Sequence, residues 1–525
     1  MDRDQPFLLP PDMRDWLPAG HLAWFVIDVA GALDISRFAA RQTPAGSAAG
    51  RAAYDPAMLL GLLVYGYATG VRSSRRIERA CEQDVAFRVI CAQDVPDHAT
   101  IARFRREHFA DPAAVQELFG QVLALAAAAG LGRLGLIAVD GTKIAAAASK
   151  DANRTEARLG DLARQILAEA EAADAAEDEL YGDARGDELP AELADPVTRK
   201  DRIAVALAQL QAERAAAARD RDARAERYQA RAAARRAAGQ PPGRAPAAVA
   251  VGLAEQNLAA ARAARAAQLA GLDARAAGQP RRGRAAGIED YCRVRQAAAR
   301  LERARARAGQ AARPQDNRGR PGPVRNVTDP DSRLMPVRGG GFIQGYNAQA
   351  VQAADGLCLA TMITQETTDY ASFEPMMRNA EAAQDLLRER ARGPLHRKRA
   401  KIGTMLADAG YLSEHNLTIP GPDRLIATGT RRDLDHATSD HPAGAGRGGD
   451  AAVAMATRLA TPQGKAAYRR RGPLAEGPFG DIKHNRGFRR FSLRGLRRVT
   501  SEWTFQNITG NLLKIYATGW RPSPA

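Results

Sequence analysis

At 525 residues the chain is long enough for about two to four domains, and its 76 Lys+Arg against 60 Asp+Glu leave a net charge of +16. That charge favours a polyanionic partner, nucleic acid above all, while an aromatic content of 5% argues against base-stacking platforms as the main grip. Cys81, Cys91, Cys292 and Cys358 have no metal or redox spacing, and there is no HExxH, no basic-then-apolar leader and no apolar run of membrane length. The expectation is a soluble cytoplasmic protein, nucleoid-associated if it binds DNA, with free thiols and no membrane partner.

Residues 1–130 read as short helices and an N-terminal DNA-binding domain. "DPAMLLGLLVYGYATG" (Asp55 to Gly70) is an apolar helix opened by Asp55-Pro56 and closed by Gly70. Arg72, Arg75, Arg76, Arg79 and Arg88 then recur at helical spacing. "PDHATIARFRREHF" starts another helix, with Asp97 or Thr100 as cap, and carries Arg103, Arg105 and Arg106. Arg75, Arg76, Arg103 and Arg106 are the candidate DNA contacts here; a solvated charged face explains the pattern equally well.

Residues 131–149 hold "LIAVDGTKI" (Leu136 to Ile144), read as a buried strand that ends on Asp140. A carboxylate there is costly unless something pairs with it. Taken alone, Asp-Gly is more simply a turn.

From 150 to 325 alanine and arginine dominate. Ile203, Leu207 and Leu210, then Leu258, Leu269 and Leu272, keep a loose helical period, and "RAAGQP" at Arg236 to Pro241 and Arg275 to Pro280 reads twice as a helix stop. This is a long helical insertion, a spacer in preference to a DNA or partner arm.

Residues 326–520 return to mixed structure. "GGGFIQGYNAQAVQ" and "GLCLATMIT" form a hairpin, Ser372 to Ala391 a helix, "IGTMLADAGYLS" a strand ending on Asp408, and "DRLIAT" another strand. Arg431 to Gly449 reads as a loop, and a helical C-terminus contains Glu476. With the insertion set aside, two strands ending in aspartate can lie side by side, and a glutamate on an overlying helix can complete a triangle of carboxylates. Close carboxylates repel, and hard divalent cations relieve this; Mg²⁺ prefers sparse carboxylate ligation completed by phosphate oxygens. Two such ions can activate an attacking oxygen and stabilise a leaving one. Simpler roles exist for each acid alone: Asp408 as a helix cap, Glu476 as a salt-bridge partner of Arg469 or Lys483, Asp369 in "TTDY" as a cap.

Around Glu476, "YRRRGPLAEGPFGDIKHNRGFRRFSLRGLRRV" sets Tyr468, Arg471, Glu476 and Lys483 in order, with Arg486, Arg489, Arg490, Arg494, Arg497 and Arg498 following. A carboxylate in so cationic a stretch suits a site that holds metal while gripping DNA phosphates. Lys483 lies seven residues after Glu476, about two helical turns.

Here the chain resembles the DDE transposases of bacterial insertion sequences, in the branch with an N-terminal helical domain and a long helical insertion after the first catalytic aspartate. The resemblance rests on "YDPAMLLGLLVYGYATGVRSSRRIERACEQDVAFR", "PDHATIARFRREH", "VDGTKI", "NVTDPDSRLM", "GFIQGYNAQA", "TQETTDY", "ADAGYLS", "FGDIKHNRGFRRFSLRGLRRVTSEW" and "NLLKIY". It implies an α/β, RNase H-like catalytic domain with a mixed five-stranded sheet, two Mg²⁺ ions (Mn²⁺ as substitute), and cleavage and strand transfer at the element's terminal inverted repeats by a homo-oligomer on double-stranded DNA. The family's acids fall on Asp140, Asp408 and Glu476, as catalytic residues and metal ligands. Its tyrosine, arginine and lysine fall on Tyr468, Arg471 and Lys483; Arg486, Arg489 and Arg490 join them as candidate DNA contacts. Two departures stand out. Four residues, not three, separate Arg471 from Glu476, and "AEGPFG" replaces the usual Val-Glu-Pro-Val-Phe-Gly. Pro478 therefore predicts a helix that starts close to Glu476. The alternatives are a metal-dependent nuclease without strand transfer and a decayed, non-catalytic DNA-binding copy.

Overall fold

The computed structural model describes residues 12–39, 53–162, 199–240, 243, 245–275, 286–312, 324–337, 339–438 and 449–522. They separate into two compact units, Met1–Ala152 with Thr328–Ala525, and Asn153–Val327. Among the described residues no helix is long and apolar enough to cross a membrane.

In the first unit the N-terminal helices follow their sequence signals. The Asp55 carboxylate accepts from Ala57 N at 3.0 Å, Pro56 opens the helix Pro56–Thr69, and Gly70 closes it at φ +82°. Leu59 through Tyr67 are all buried, as an all-round apolar helix requires. Asp97, not Thr100, caps His98–His108, accepting from Thr100 N at 2.7 Å.

The strands are β1 (Leu136–Ala145), β2 (Asn153–Thr155), β3 (Val324–Asn326), β4 (Arg333–Pro336), β5 (Phe342–Ala353), β6 (Cys358–Thr364), β7 (Thr404–Ala407) and β8 (Asp423–Ile426). Six of them form one mixed sheet in the order β4-β5-β1-β7-β8, with β6 also on β5. The expected count was five. β4 pairs with the first half of β5 and β6 with the second, so two strands share one edge position. β5 and β6 make the expected antiparallel hairpin; β1 runs antiparallel to β5 and parallel to β7, which is parallel to β8.

Alternation along β1 sorts its side chains between two cores. Ile137 and Val139 join the larger core, which includes the helices Pro112–Ala128, Phe373–Glu389 and Leu496–Ala517. Ala138 joins Leu406, Leu425, Met455, Leu459 and Ala475 in a smaller one, beneath the helical layer Asp450–Ala460 and Pro462–Arg469. Asp140, two residues after Ala138, falls on that second face.

Carboxylates fasten the last helix. "NVTDPDSRLM" caps it from outside: Asp331 Oδ2 accepts from Leu496 N at 2.9 Å, and Asp329 Oδ1 accepts from Gly495 N at 3.2 Å and from the Tyr346 hydroxyl at 2.9 Å. Glu502, fully buried, accepts from Ser492 N, Leu493 N and the Tyr67 hydroxyl, tying the loop before the helix to the N-terminal domain. Glu502→Gln should turn an amide N–H toward backbone donors and cost about 2–4 kcal/mol, against about 1 kcal/mol for Tyr67→Phe. Urea unfolding reads both; an unmoved Glu502→Gln midpoint would remove this anchor from the account.

Arg431 to Gly449 is not simply a loop. Thr430 and Asp433 form a capping box that starts the helix Arg431–His436; residues 439–448 lie outside the described residues.

Among the described residues the long helices of the second unit are Arg199–Ala237, Ala247–Arg275 and Cys292–Ala312. Leu258 packs with Ala254, Val294, Ala297, Leu301 and Ala304, and Ile203 with Leu210, Ala206 and Leu159, so part of the loose period marks small cores. Leu272 is exposed instead. β2 and β3 form an antiparallel ribbon of their own, which an all-helical reading had not included. Gly239 follows the first helix at φ +71°, as the first "RAAGQP" predicts. The second repeat lies outside the described residues after Arg275.

Candidate active site

β1 does not stop at Asp140. It continues to Ala145 against β5, with Asp140 opposite Ala350, while its pairing with β7 ends at Ala138 opposite Leu406. The strand-end position exists only on the β7 side, where the neighbour has run out and Asp408 begins the next turn. Gly141 is therefore not a turn glycine. An added Cβ would crowd the Gln349 side-chain amide and stand 2.9 Å from Asp369 Oδ1, so a larger residue would have to displace that hydrogen-bonded pair. Asp408 keeps the capping role as well: its Oδ1 accepts from Gly410 N at 2.9 Å.

Opposite these acids, Arg471 reaches down from the helical layer. Its Nη2 lies 3.0 Å from Asp140 Oδ1 and 3.5 Å from Asp408 Oδ2, and its Nη1 lies 3.8 Å from Glu476 Oε1. One guanidinium thus gathers acids from β1, from the end of β7 and from the helical layer. Burial pushes the Asp140 carboxyl up to about 6, against the pull of Arg471, and the Asp408 charge adds to the rise. Burial alone would depress Arg471; Asp140 and Asp408 outweigh it and hold the guanidinium above its usual range. Arg471 Nε is buried with no hydrogen-bond partner among the described residues.

Glu476 is held differently from the two aspartates. Its side chain is 65% exposed, against 14% for Asp140 and 41% for Asp408. A short α-helical stretch does begin directly after it, with Pro478 in the first turn, but the helical path as a whole starts earlier. Pro462–Arg469 runs on into a π-helical turn, Gly472–Glu476, a short α-helical stretch, Gly477–Gly480, and a second π turn, Asp481–Asn485. Pro478 sits inside this continuous path, where wide turns on both sides relieve the clash that proline makes in a regular α-helix.

Lys483 reaches β1 on the Asp140 face, donating to Thr142 Oγ1 and, at 3.2 Å, to the Lys143 carbonyl. Burial lowers its pKa, and Arg489 adds to the effect. Tyr468 is half-buried in the same layer, and burial pushes its hydroxyl up to about 12.

Arg486 departs from its expected role. It is buried and its donors go to Asp481, the Gln506 carbonyl and Thr509, so it fastens the last helix and offers DNA no free face. Arg75, Arg76, Arg103, Arg106, Arg489 and Arg490 are exposed. Arg72 ties their elements together: it donates to the Gly487 and Arg490 carbonyls, lies over Phe488, and its own carbonyl accepts from the buried Arg105.

A network that the sequence did not disclose backs β1. Gly141 pairs with Gln349 and Lys143 with Asn347. Asp369 makes no side-chain cap; its Oδ1 accepts from Asn347 at 2.7 Å and Gln349 at 2.8 Å and pairs with Lys143 at 3.4 Å. The Gln349 side-chain oxygen Oε1 accepts from the buried Tyr411 hydroxyl, just after the Asp408 turn. Polar residues in the otherwise apolar β5 stretch "NAQA" were the available signal.

As a donor set, Asp140 and Asp408 suit a hard divalent ion: both are carboxylates, they flank a common cation, and Mg²⁺ needs only one or two carboxylates beside water and phosphate. Glu476 stands at the rim. Among the described residues no three acidic, histidine or cysteine side chains already converge as a metal cage.

Comparison with known families places two segments. Residues 11–107 match a family described as a transposase domain (DUF772), and residues 449–516 match a family described as a transposase DDE domain. No curated protein and no solved structure matches the chain.

Proposed function

We propose, taking the chain as the insertion-sequence DDE transposase that its two end domains support, that it binds the element's terminal inverted repeats and catalyses Mg²⁺-dependent DNA strand cleavage and strand transfer on an RNase H-like sheet. The observation that carries this reading is Arg471 drawing Asp140, Asp408 and Glu476 to one point from three elements. Asp140 and Asp408 would hold divalent metal, with Glu476 closing the set from the rim. Bound there, the metal supplies activation of the attacking oxygen and stabilisation of the leaving one.

The protein's own groups do the rest. Arg471, with one buried N–H unused, exchanges carboxylates for a phosphate oxygen as DNA arrives. Lys483, fixed to Thr142 and the Lys143 carbonyl, presents its charge beside the bond at Asp140. Asp369 and Gln349 hold β1, β5 and the Asp408 turn in register from the opposite face. Arg75, Arg76, Arg103, Arg106, Arg489 and Arg490 grip backbone phosphates of one duplex, their elements joined through Arg72. Assembly on DNA is as a homo-oligomer.

The test is incubation of the purified protein with flanking-repeat DNA and Mg²⁺, with mapping of the ends. Cuts at the repeat termini followed by joined products support the reading. Cuts without joining leave a nuclease. Binding without cuts leaves a decayed copy, the second reading that the exposed Glu476 favours.

A further inference from the structure

A cleft of about 490 Å³ lies far from the acids, lined by Arg388, Gly393, Pro394, Arg397, Lys398 and Lys401. Four of its six lining residues are cations. None of the four has an ion-pair partner among the described residues, although carboxylates are near: Glu389 lies 3.9 Å from Arg390, and Asp385 accepts from Gln384. Arg397, Lys398 and Lys401 are exposed, and Arg388 is half-buried. The surrounding "RERARGPLHRKRAK" adds Arg390, Arg392 and Arg399 against a single acid, Glu389. Like charges gathered around a concave surface raise its potential and favour an anion that can touch several at once.

Its place in the fold decides which anion. The helix Gly393–Arg399 leads into β7, and the Arg399 carbonyl accepts from Leu134 N just before β1. The cleft therefore stands at the starting ends of two parallel strands, whereas Asp140 and Asp408 lie toward their other ends. Thr404 and Asp408 alone are separated by about 13 Å of strand. No single phosphate reaches both places, but a duplex, with backbone charges every few ångströms, supplies a second set about four or more base pairs away.

We propose that this cleft is a second DNA site, which binds backbone phosphates of a stretch of duplex distinct from the one at the acids. It rests on the reading of the protein as one that acts on DNA, and adds an anchoring surface to it.

The test is fluorescence anisotropy of the full-length protein with a hairpin of ~4 base-pair stem, too short to span both places, and a ~30 base-pair duplex across a salt series, in EDTA. Binding is then read whether or not the protein cleaves. Each phosphate neutralised contributes about 0.9 to the slope of log K against log salt. The wild type should show a steeper slope on the long duplex. Arg388→Gln/Arg397→Gln/Lys398→Gln/Lys401→Gln should lower that slope by about 2–4 and weaken long-duplex binding at least about tenfold, bringing the two duplexes together. Arg388→Lys/Arg397→Lys should bind as wild type. If the fourfold variant does not fold, the exposed Lys398→Gln and Lys401→Gln decide, each lowering the slope by about one. An unchanged long-duplex slope in the folded Gln variants overturns the proposal, and so does equal loss on both duplexes. No duplex binding by wild type overturns both this site and the reading beneath it; normal binding with no cleavage in Mg²⁺ leaves the site standing and removes only the catalytic reading.

Discussion

Asp140→Asn should abolish Mg²⁺-dependent strand cleavage, by on the order of 10³-fold or more, about 4 kcal/mol of barrier, while terminal-repeat binding stays within about twofold because affinity comes from arginine–phosphate contacts. The substitution keeps size and shape. It removes the negative charge from the most enclosed of the three acids, the one whose carboxyl burial already lifts to about 6. If Asp140 served only as a counter-ion for Arg471, the asparagine oxygen would still accept from the guanidinium, Asp408 would remain at 3.5 Å, and cleavage would largely survive. Gel assays of nicking, alongside anisotropy for binding, separate these outcomes. Cleavage within tenfold of wild type would end the assignment of Asp140 as a metal ligand.

What could be read in the sequence was what local chemistry dictates. Asp55-Pro56 and Gly70 bound a helix because cap and stop act within one turn. The β5–β6 hairpin follows from two β-rich runs around Ala353-Ala354-Asp355-Gly356. The gathering of Asp140, Asp408 and Arg471 was legible only jointly, through motif order, because register brings them together across hundreds of residues. Burial was not legible. Arg486 looks like its arginine neighbours in sequence, yet the carbonyl of Gln506 and the hydroxyl of Thr509, on a later helix, claim it. Nor was the end of the β1–β7 pairing at Ala138, which leaves Asp140 without a strand neighbour on that side, nor the Gln349 and Asp369 side chains that crowd Gly141. Pro478 marks the start of the short α-helical stretch after Glu476, but not the π turns that continue the helical path on both sides of it.

Glu476→Gln tests the acid whose position is least enclosed. The glutamate is 65% exposed and only 3.8 Å from Arg471 at its closest, so as an ion pair it is worth about 0–1 kcal/mol. Thermal unfolding of the variant should therefore match wild type, and repeat-DNA binding should be nearly unchanged. If Glu476 closes the metal set, cleavage falls by orders of magnitude despite that silence in stability, since a neutral amide cannot replace a carboxylate ligand. Mn²⁺, more tolerant of altered ligands, should then restore a small fraction. The local backbone supplies a third arm. Gly477 sits at φ −56°, the value proline fixes, and an added Cβ would meet nothing outside its own helix within 4 Å, while Pro478→Val returns an N–H to the helix between the two π turns. Should the wild type bind but not cut, Gly477→Pro/Pro478→Val is expected to recover cleavage by setting Glu476 more firmly toward Arg471, and Glu476→Gln in that background should abolish it again. Full cleavage by Glu476→Gln in an active wild type would remove this residue from the catalytic set and leave Asp140 and Asp408 to hold the metal alone.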